Sequence, residues 1–297
     1  MTRVVQVPAS FDYQAFDQFA EAFGEPGDER LLFDAHATHW GSPYGLVGLL
    51  AAGQWLAEHQ KQKPLFTIPQ NRDVAHYWAR TGFFRHAAEL FELHGKVPHV
   101  ASTGASDVLL EVTPVRGARD VHDVVDKIQD RAAAILRELG LEAQATMGFA
   151  MALSEGCQNI VEHAGTGGWV AVQAYHWRQR LGRRVAVIAV ADAGVGFRAS
   201  LETTYAHRVG ERWGDVAALE AAVLHGVSRF RDPGRGQGLA GIRRYVERWN
   251  GKLSLRSGTA RISSPIAKWD DDGPMDDGLA SFPGSQMLLI IPARKGD

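Results

Sequence analysis

VAVIAVADAGVGF, residues 185–197, reads as a strand that runs straight into a turn. Its β-branched, uninterrupted apolar run is strand-like. Asp192 closes the run, and Gly194 and Gly196 follow. A carboxylate at a strand end can accept a hydrogen bond from a base amine, and glycines beyond it let the backbone approach a flat ring. A tight turn after a buried strand accounts for the same residues. Upstream, ALSEGCQNIVEHAG (152–165) spaces Glu155, Asn159 and His163 at i, i+4 and i+8. On a helix that is a row along one face, with neighbours about 5–6 Å apart. Phe149, Leu153, Ile160 and Val161 supply core contacts on other faces. A carboxylate and a carboxamide one turn apart offer hard oxygen atoms, suited to Mg2+ and to orienting a water; an exposed polar face has the same appearance. Downstream, GRGQGLAGIRRYVERWNG (234–251) places Gly234, Gly236 and Gly238 just before a helix that begins near Leu239. Free N–H groups at a helix N-terminus cradle phosphate oxygens, and a flexible hinge is the alternative. No strand precedes these glycines and no Gly-Lys-Ser/Thr follows, so the stretch is neither a Rossmann fingerprint nor a P-loop.

Around these stretches the chain is an ordinary globular one. It has 297 residues, 45% hydrophobic and 22% charged, with 32 basic and 34 acidic residues. That balance gives no electrostatic case for nucleic acid or for a polybasic membrane anchor. The lone cysteine, Cys157, cannot form an internal disulfide, which makes a reducing cytoplasm the expected location. The longest apolar stretch, GLVGLLAAG (45–53), is far short of the ~20 residues of a membrane helix. Strand-like runs at Val4–Val7, Leu31–Asp34 and Leu65–Ile68 alternate with amphipathic helix-like runs at Tyr13–Phe23, Tyr44–Glu58 and Asp73–Arg80, and in the middle one Leu46, Leu49, Leu50 and Leu56 fall near a 3.6-residue period. Such alternation predicts an α/β layer with a largely parallel sheet. Ser42 before Pro43 reads as an N-cap and first-turn pair. The polar stretch 94–107 is the best boundary, and DVLLEVTPV (107–115) can belong to either side of it. Beyond it we expect helices at about Val121–Leu139, Ala143–His163 and Leu239–Trp249, strands near Trp169–Trp177 and Val185–Ala191, and three strands towards the end. WDDDGPMDDG (269–278) reads as a solvated loop between two of these.

In this order, a helix with Glu and Asn, two strands, D-x-G-x-G, a variable segment, G-x-G-x-G before a helix, and further strands together resemble one known architecture. It is the Bergerat fold, the ATP-binding domain of gyrase, DNA mismatch-repair ATPases, histidine kinases and anti-sigma serine kinases. The resemblance spans roughly 115–297. Gly284-Ser285-Gln286 before MLLIIP is similar to that family's Gly-Thr element, with Ser285 keeping the hydroxyl. The resemblance implies ATP and Mg2+ as cofactors. It gives Asn159 the role of Mg2+ ligand and Glu155 that of the carboxylate polarising the attacking water or hydroxyl. Asp192 would take the adenine amine, with Gly194 and Gly196 shaping its pocket. Gly236 and Gly238 would face the phosphates, and Gly234, Leu239 and Ser285 would belong to the same nucleotide-binding set. A lid would run over about 198–233, with Arg208, Arg212, Arg229, Arg231 and the adjoining Arg235 as candidates for the γ-phosphate.

The first hundred residues resemble the STAS-like fold of anti-sigma-factor antagonists, on LLFDAHATHWGSPYGLVGLLAAG (31–53) and IPQNRDVAHYWARTGFF (68–84). The position that carries a phosphoacceptor in that family falls near Ser42, without the family's usual Asp-Ser-Ser/Thr-Gly. The expected architecture is therefore a STAS-like α/β domain over 1–105 and a Bergerat α/β sandwich over 106–297, a mixed sheet covered by helices. The expected function is that of an ATP-binding regulatory protein, serine/threonine-kinase-like or partner-switching, with a protein partner or substrate and a homodimer as its expected assembly. An interaction module or an ATPase without kinase activity is the alternative. A mechanical ATPase of the gyrase type is disfavoured, because it needs a further domain to supply a lysine. His36 and His39 have no third metal ligand at recognisable spacing. Cys157 is expected to be a small packing residue.

Overall fold

The structure is a computed structural model that describes residues 1–99, 108–127, 143–177, 181–227, 237–264, 267 and 269–293. Two sheets organise it. The first is four-stranded and parallel, in the order β1 (Thr2–Gln6), β3 (Arg30–Asp34), β5 (Leu65–Thr67) and β6 (Glu92–His94). Helices α1 (Phe16–Phe23), α2 (Pro43–His59), α3 (Arg72–Arg80) and α4 (Phe83–Leu90) connect its strands. The α/β alternation read from the sequence is present, and α4 and β6 extend it. A two-residue parallel ladder joins β2 (Ser10–Phe11) to β4 (Trp40–Gly41). Ser42 caps α2 as expected: its hydroxyl accepts from the Gly45 amide at 3.3 Å, and Pro43 opens the first turn.

The second sheet has seven strands. β7 (Val108–Val115) pairs with β8 (Gly168–Trp177), which settles the side to which DVLLEVTPV belongs. β8 pairs with β9 (Arg183–Asp192), β9 with β13 (Phe282–Pro292), and β13 with β10 (Lys252–Gly258). β11 (Ala260–Ser263) and β12 (Met275–Asp276) finish the edge. Every pairing is antiparallel, which corrects the expectation of a mixed sheet. The reason is topological. The helical crossover after β9 does bring β10 back parallel to it, but β13 inserts between them and runs antiparallel to both.

One face of this sheet carries α6 (Ala143–Asn159), α7 (Gly196–Val209), α8 (Asp215–Val223) and α9 (Gln237–Arg248); helical residues 118–127 precede them as α5, and the rest of the helix expected to Leu139 lies outside the described residues. The other face packs on α2, which contacts β8, β9 and β13. The strands show the alternation directly. On β9, Ala186, Ile188 and Val190 belong to the core under α6–α9, while Val185, Val187 and Ala189 belong to the core shared with α2. On β13, Met287, Leu289 and Ile291 face the first core, and Leu288 and Ile290 the second. A period of two with protein on both sides demands an unbroken apolar run, which is why VAVIAVA shows no polar residue. The same reasoning corrects the reading of α2 as amphipathic. Every residue from Pro43 to Gly53 is buried, because α2 has protein all round it.

Ion pairs fix the register of this junction. Asp17 on α1 bonds Arg256 at 3.2 Å and Arg261 at 2.7 Å, and Arg261 also bonds Asp276 at 2.8 Å. Lys252, fully buried, pairs with Asp270 and Asp272, and the Tyr13 hydroxyl donates to Asp270 at 3.2 Å. These contacts correct the reading of 269–278 as a solvated loop. Asp270, Asp272 and Asp276 fold back as counter-ions while Asp271 and Asp277 stay exposed, since a buried ammonium or guanidinium left alone is far costlier than a paired one.

Candidate functional site

The site forms where β9 and β13 end beside the last turn of α6. Asp192 closes β9 and is 5% exposed. Its Oδ1 accepts from the Gly194 amide at 2.9 Å and its Oδ2 from the Ser285 hydroxyl. Burial pushes this carboxyl up to about 6, against the opposing pull of the Ser285 and Gly194 hydrogen bonds. Two glycines make the approach possible. Gly284 has φ 67° and lies so close to Asp192 that a Cβ would overlap its backbone and carboxylate oxygens. Gly196 has φ 71° and opens α7 against Ser257 and Gly284. Gly194 presses against Ala164, so a side chain there would push the two segments apart.

Ser257, which the sequence reading did not single out, ties these parts together. Its hydroxyl accepts from the Phe197 amide at 3.0 Å and donates to the Gly284 carbonyl at 3.2 Å. It therefore joins the start of α7, the end of β10 and the start of β13. Nothing in its sequence neighbours points to a partner.

Asn159 ends α6, and the chain continues through a π-helical turn, Ile160–Ala164. Such turns reposition side chains at the end of a helix and are frequent at functional sites. Asn159 itself lines a small pocket of about 20 Å³ with Ala164, Asp192, Gly196, Phe197, Ser200 and Ser285. Ser200 is a further residue that the sequence reading missed; it lies one turn into α7, four residues after Gly196. One turn before Asn159, the Glu155 carboxylate lies against Gly238 in the first turn of α9, where any side chain would displace it. The structure thus brings together Glu155, Asn159, Asp192, Gly194, Gly196, Gly238 and Ser285. Leu239 is buried in the core under α9 and does not line the pocket. Gly234, Gly236, Arg229, Arg231 and Arg235 lie outside the described residues.

The span expected to be a lid is largely built into the fold. Ala218, Leu219, Ala221, Ala222 and Val223 of α8 are buried, and the Asp215 carboxylate accepts from the Thr259 amide at 2.9 Å and hydroxyl at 2.8 Å. Arg208 lies over the Tyr205 ring, with its guanidinium carbon 5.6 Å from the centroid. Cys157 is fully buried, and burial pushes its thiol up to about 12, the behaviour of a packing residue.

The donor set fits a nucleotide with a hard cation. Asp192 offers a dehydrated acceptor at the pocket floor, and Asn159 an amide oxygen above it. Among the described residues no group of three or more His, Cys, Asp or Glu could hold a metal ion. A cation at Asn159 would then lean on ligand oxygens, the manner in which Mg2+ sits on phosphates.

Comparison with known proteins agrees with this geometry. Residues 145–271 match the family described as histidine kinase-, DNA gyrase B-, and HSP90-like ATPase. No curated protein matches the chain. Among solved structures, the mycobacterial sensor histidine kinase MprB matches at 18% identity and a TM-score of 0.28, over 63% of this chain and 100% of that one.

Proposed function

We propose that the chain is an ATP-binding regulatory protein whose nucleotide sits between β9, β13 and the end of α6. The observation that carries this is the buried Asp192, held by Ser285 and Gly194 and opening into the pocket that Asn159 lines. In this reading Asp192 accepts from the adenine amine, a hydrogen bond that water would otherwise compete for. Gly196 and Gly284 keep Cβ atoms away from the plane of the base. Mg2+, held by Asn159, would neutralise phosphate charge and orient the γ-phosphoryl group. Glu155 is the base that polarises the attacking hydroxyl or water, with Gly238 leaving room for its carboxylate.

The biological role follows the same reading: a serine/threonine-kinase-like or partner-switching protein acting in the cytoplasm on a protein partner. Two features support it. The N-terminal parallel α/β layer, with a small-residue turn leading into α2, is of the kind expected for a STAS-like domain. No helix among the described residues is long and apolar enough to cross a membrane. Ser42, 3% exposed and engaged as the cap of α2, is not the phosphoacceptor in this reading. Incubation with γ-labelled Mg·ATP, alone and with candidate protein substrates, tests the role. Label on protein supports a kinase, and free phosphate alone supports the alternative of an ATPase without kinase activity. Asn159→Ala should weaken Mg·ATP far more than metal-free ATP, while Glu155→Ala should leave binding nearly intact and lower turnover by about 10²–10⁴-fold. Variants that lose only folding stability would make the row structural.

A further inference from the structure

A second pocket, of about 400 Å³, lies on the opposite face of the seven-stranded sheet, at the junction with the N-terminal layer. Its floor is Val187, Leu288 and Ile290, from the same two strands that carry Asp192 and Ser285 at their other ends. Its walls are aromatic: Tyr13, Trp40, Tyr175 and Trp177. Trp40 is backed by Tyr77, stacked at 5.4 Å and 14°, and meets Tyr175 edge-on at 5.6 Å. Trp177 is braced by Trp269 at 5.5 Å. These walls are held by their neighbours and would need little ordering to receive a ligand.

Among the described residues Asp12 is its only lining carboxylate, no lysine or arginine lines it, and His176 is the one histidine on its wall. Asp12 Oδ1 accepts from the Gln14 amide at 3.0 Å and the Ala15 amide at 3.2 Å, which fixes the side chain and leaves Oδ2 for a ligand. Asp12 also lies close enough to Tyr175 to help hold the phenol proton on, though burial is the larger cause. Lys252 sits over the Tyr13 ring at 4.3 Å, but Asp270 and Asp272 both engage it. Aromatic walls, a carboxylate and an apolar floor form an environment that favours an alkylated ammonium over a neutral group of the same shape.

We infer that this pocket binds a small organic cation of the quaternary or alkylated ammonium class, between the rings of Trp40, Tyr175 and Trp177 and the Asp12 carboxylate. The site is independent of the nucleotide reading, since it uses none of the residues assigned to ATP.

The test uses the full chain without nucleotide at fixed ionic strength. Tryptophan fluorescence is titrated with choline and with its neutral carbon isostere, 3,3-dimethylbutan-1-ol. Saturation transfer from aromatic protons of the protein to the choline methyls gives a second readout that needs no variant. Choline should give a saturable response and methyl saturation transfer, with the alcohol about ten-fold weaker or more. Asp12→Asn, which keeps an oxygen for the turn, should weaken choline about ten-fold and leave the alcohol unchanged. Absence of saturable binding and of saturation transfer by choline would overturn the inference. Equal affinity for the alcohol would overturn it too, by showing an apolar cavity only, as would a folded Asp12→Asn variant with unchanged choline affinity.

Discussion

The two faces of the seven-stranded sheet are built from the same strands and treated in opposite ways. Beneath α6–α9 the chemistry gathers at strand ends, around a buried carboxylate and backbone turns pressed together at glycines. Away from the aromatic pocket, the face against α2 is sealed. A helix buried from Pro43 to Gly53 lies on it, the rings of Phe16, Phe19 and Phe23 pack within 5.0–6.0 Å of Phe282, and ion pairs from Asp17, Asp270 and Asp272 close the margin. Burial is nearly complete on both sides, so burial alone does not mark the site. What differs is what the buried charge is given. On the sealed face each buried cation meets carboxylates. On the α6–α9 face Asp192 is given a hydroxyl and backbone amides but no cation, and its ionised form is left destabilised.

The largest effect should come from unpairing the sealed face. Asp17→Ala leaves Arg256, fully buried, without its carboxylate and should cost about 3–5 kcal/mol in urea unfolding. A loss below about 1 kcal/mol would show that the two layers are not locked by this pair. Next in size is Asp192→Asn, which should act in the opposite direction. The native carboxyl holds its proton up to about 6, against 3.8 as its ordinary value. The group therefore favours the fold below pH 4, and that contribution is lost as pH rises through 6. The asparagine variant cannot ionise, so it should match wild type near pH 4 and exceed it by about 2–3 kcal/mol above pH 7. A gap that does not change with pH would break the contrast between paired and unpaired charge. The smallest of the three is Gly48→Val on α2, where a Cβ meets the Phe16 ring; overpacking there should cost about 1–3 kcal/mol, read as a lower melting temperature with unchanged nucleotide affinity.

Legibility in the sequence also differed between the faces. Asp192, Asn159, Glu155 and Ser285 were legible because strand ends and helix faces have fixed periods, and motif order supplied their context. The π-helical turn that follows Asn159 was not, since nothing in IVEHA distinguishes it from an ordinary helix end. Ser257 was missed because its two partners are far away in sequence. In α2, the leucine spacing suggested one buried stripe, but GLVGLLAAG carries small or apolar residues on every side, and its meaning depended on a second sheet that no local pattern reveals. The pairing of the 269–278 carboxylates is hidden in the sequence because their cations, Lys252 and Arg261, lie on separate strands that no local pattern links to this stretch.

Titration calorimetry of Mg·ATP against wild type and Asp192→Ala at pH 7.5 tests the central claim most directly. Loss of a charge-assisted hydrogen bond in a dehydrated pocket should weaken binding about ten- to a hundred-fold, with the fold verified by circular dichroism. Wild-type affinity should also fall as the pH drops through about 6, where Asp192 takes up its proton. Unchanged affinity in a folded Asp192→Ala variant would contradict the account and move the nucleotide away from the end of β9.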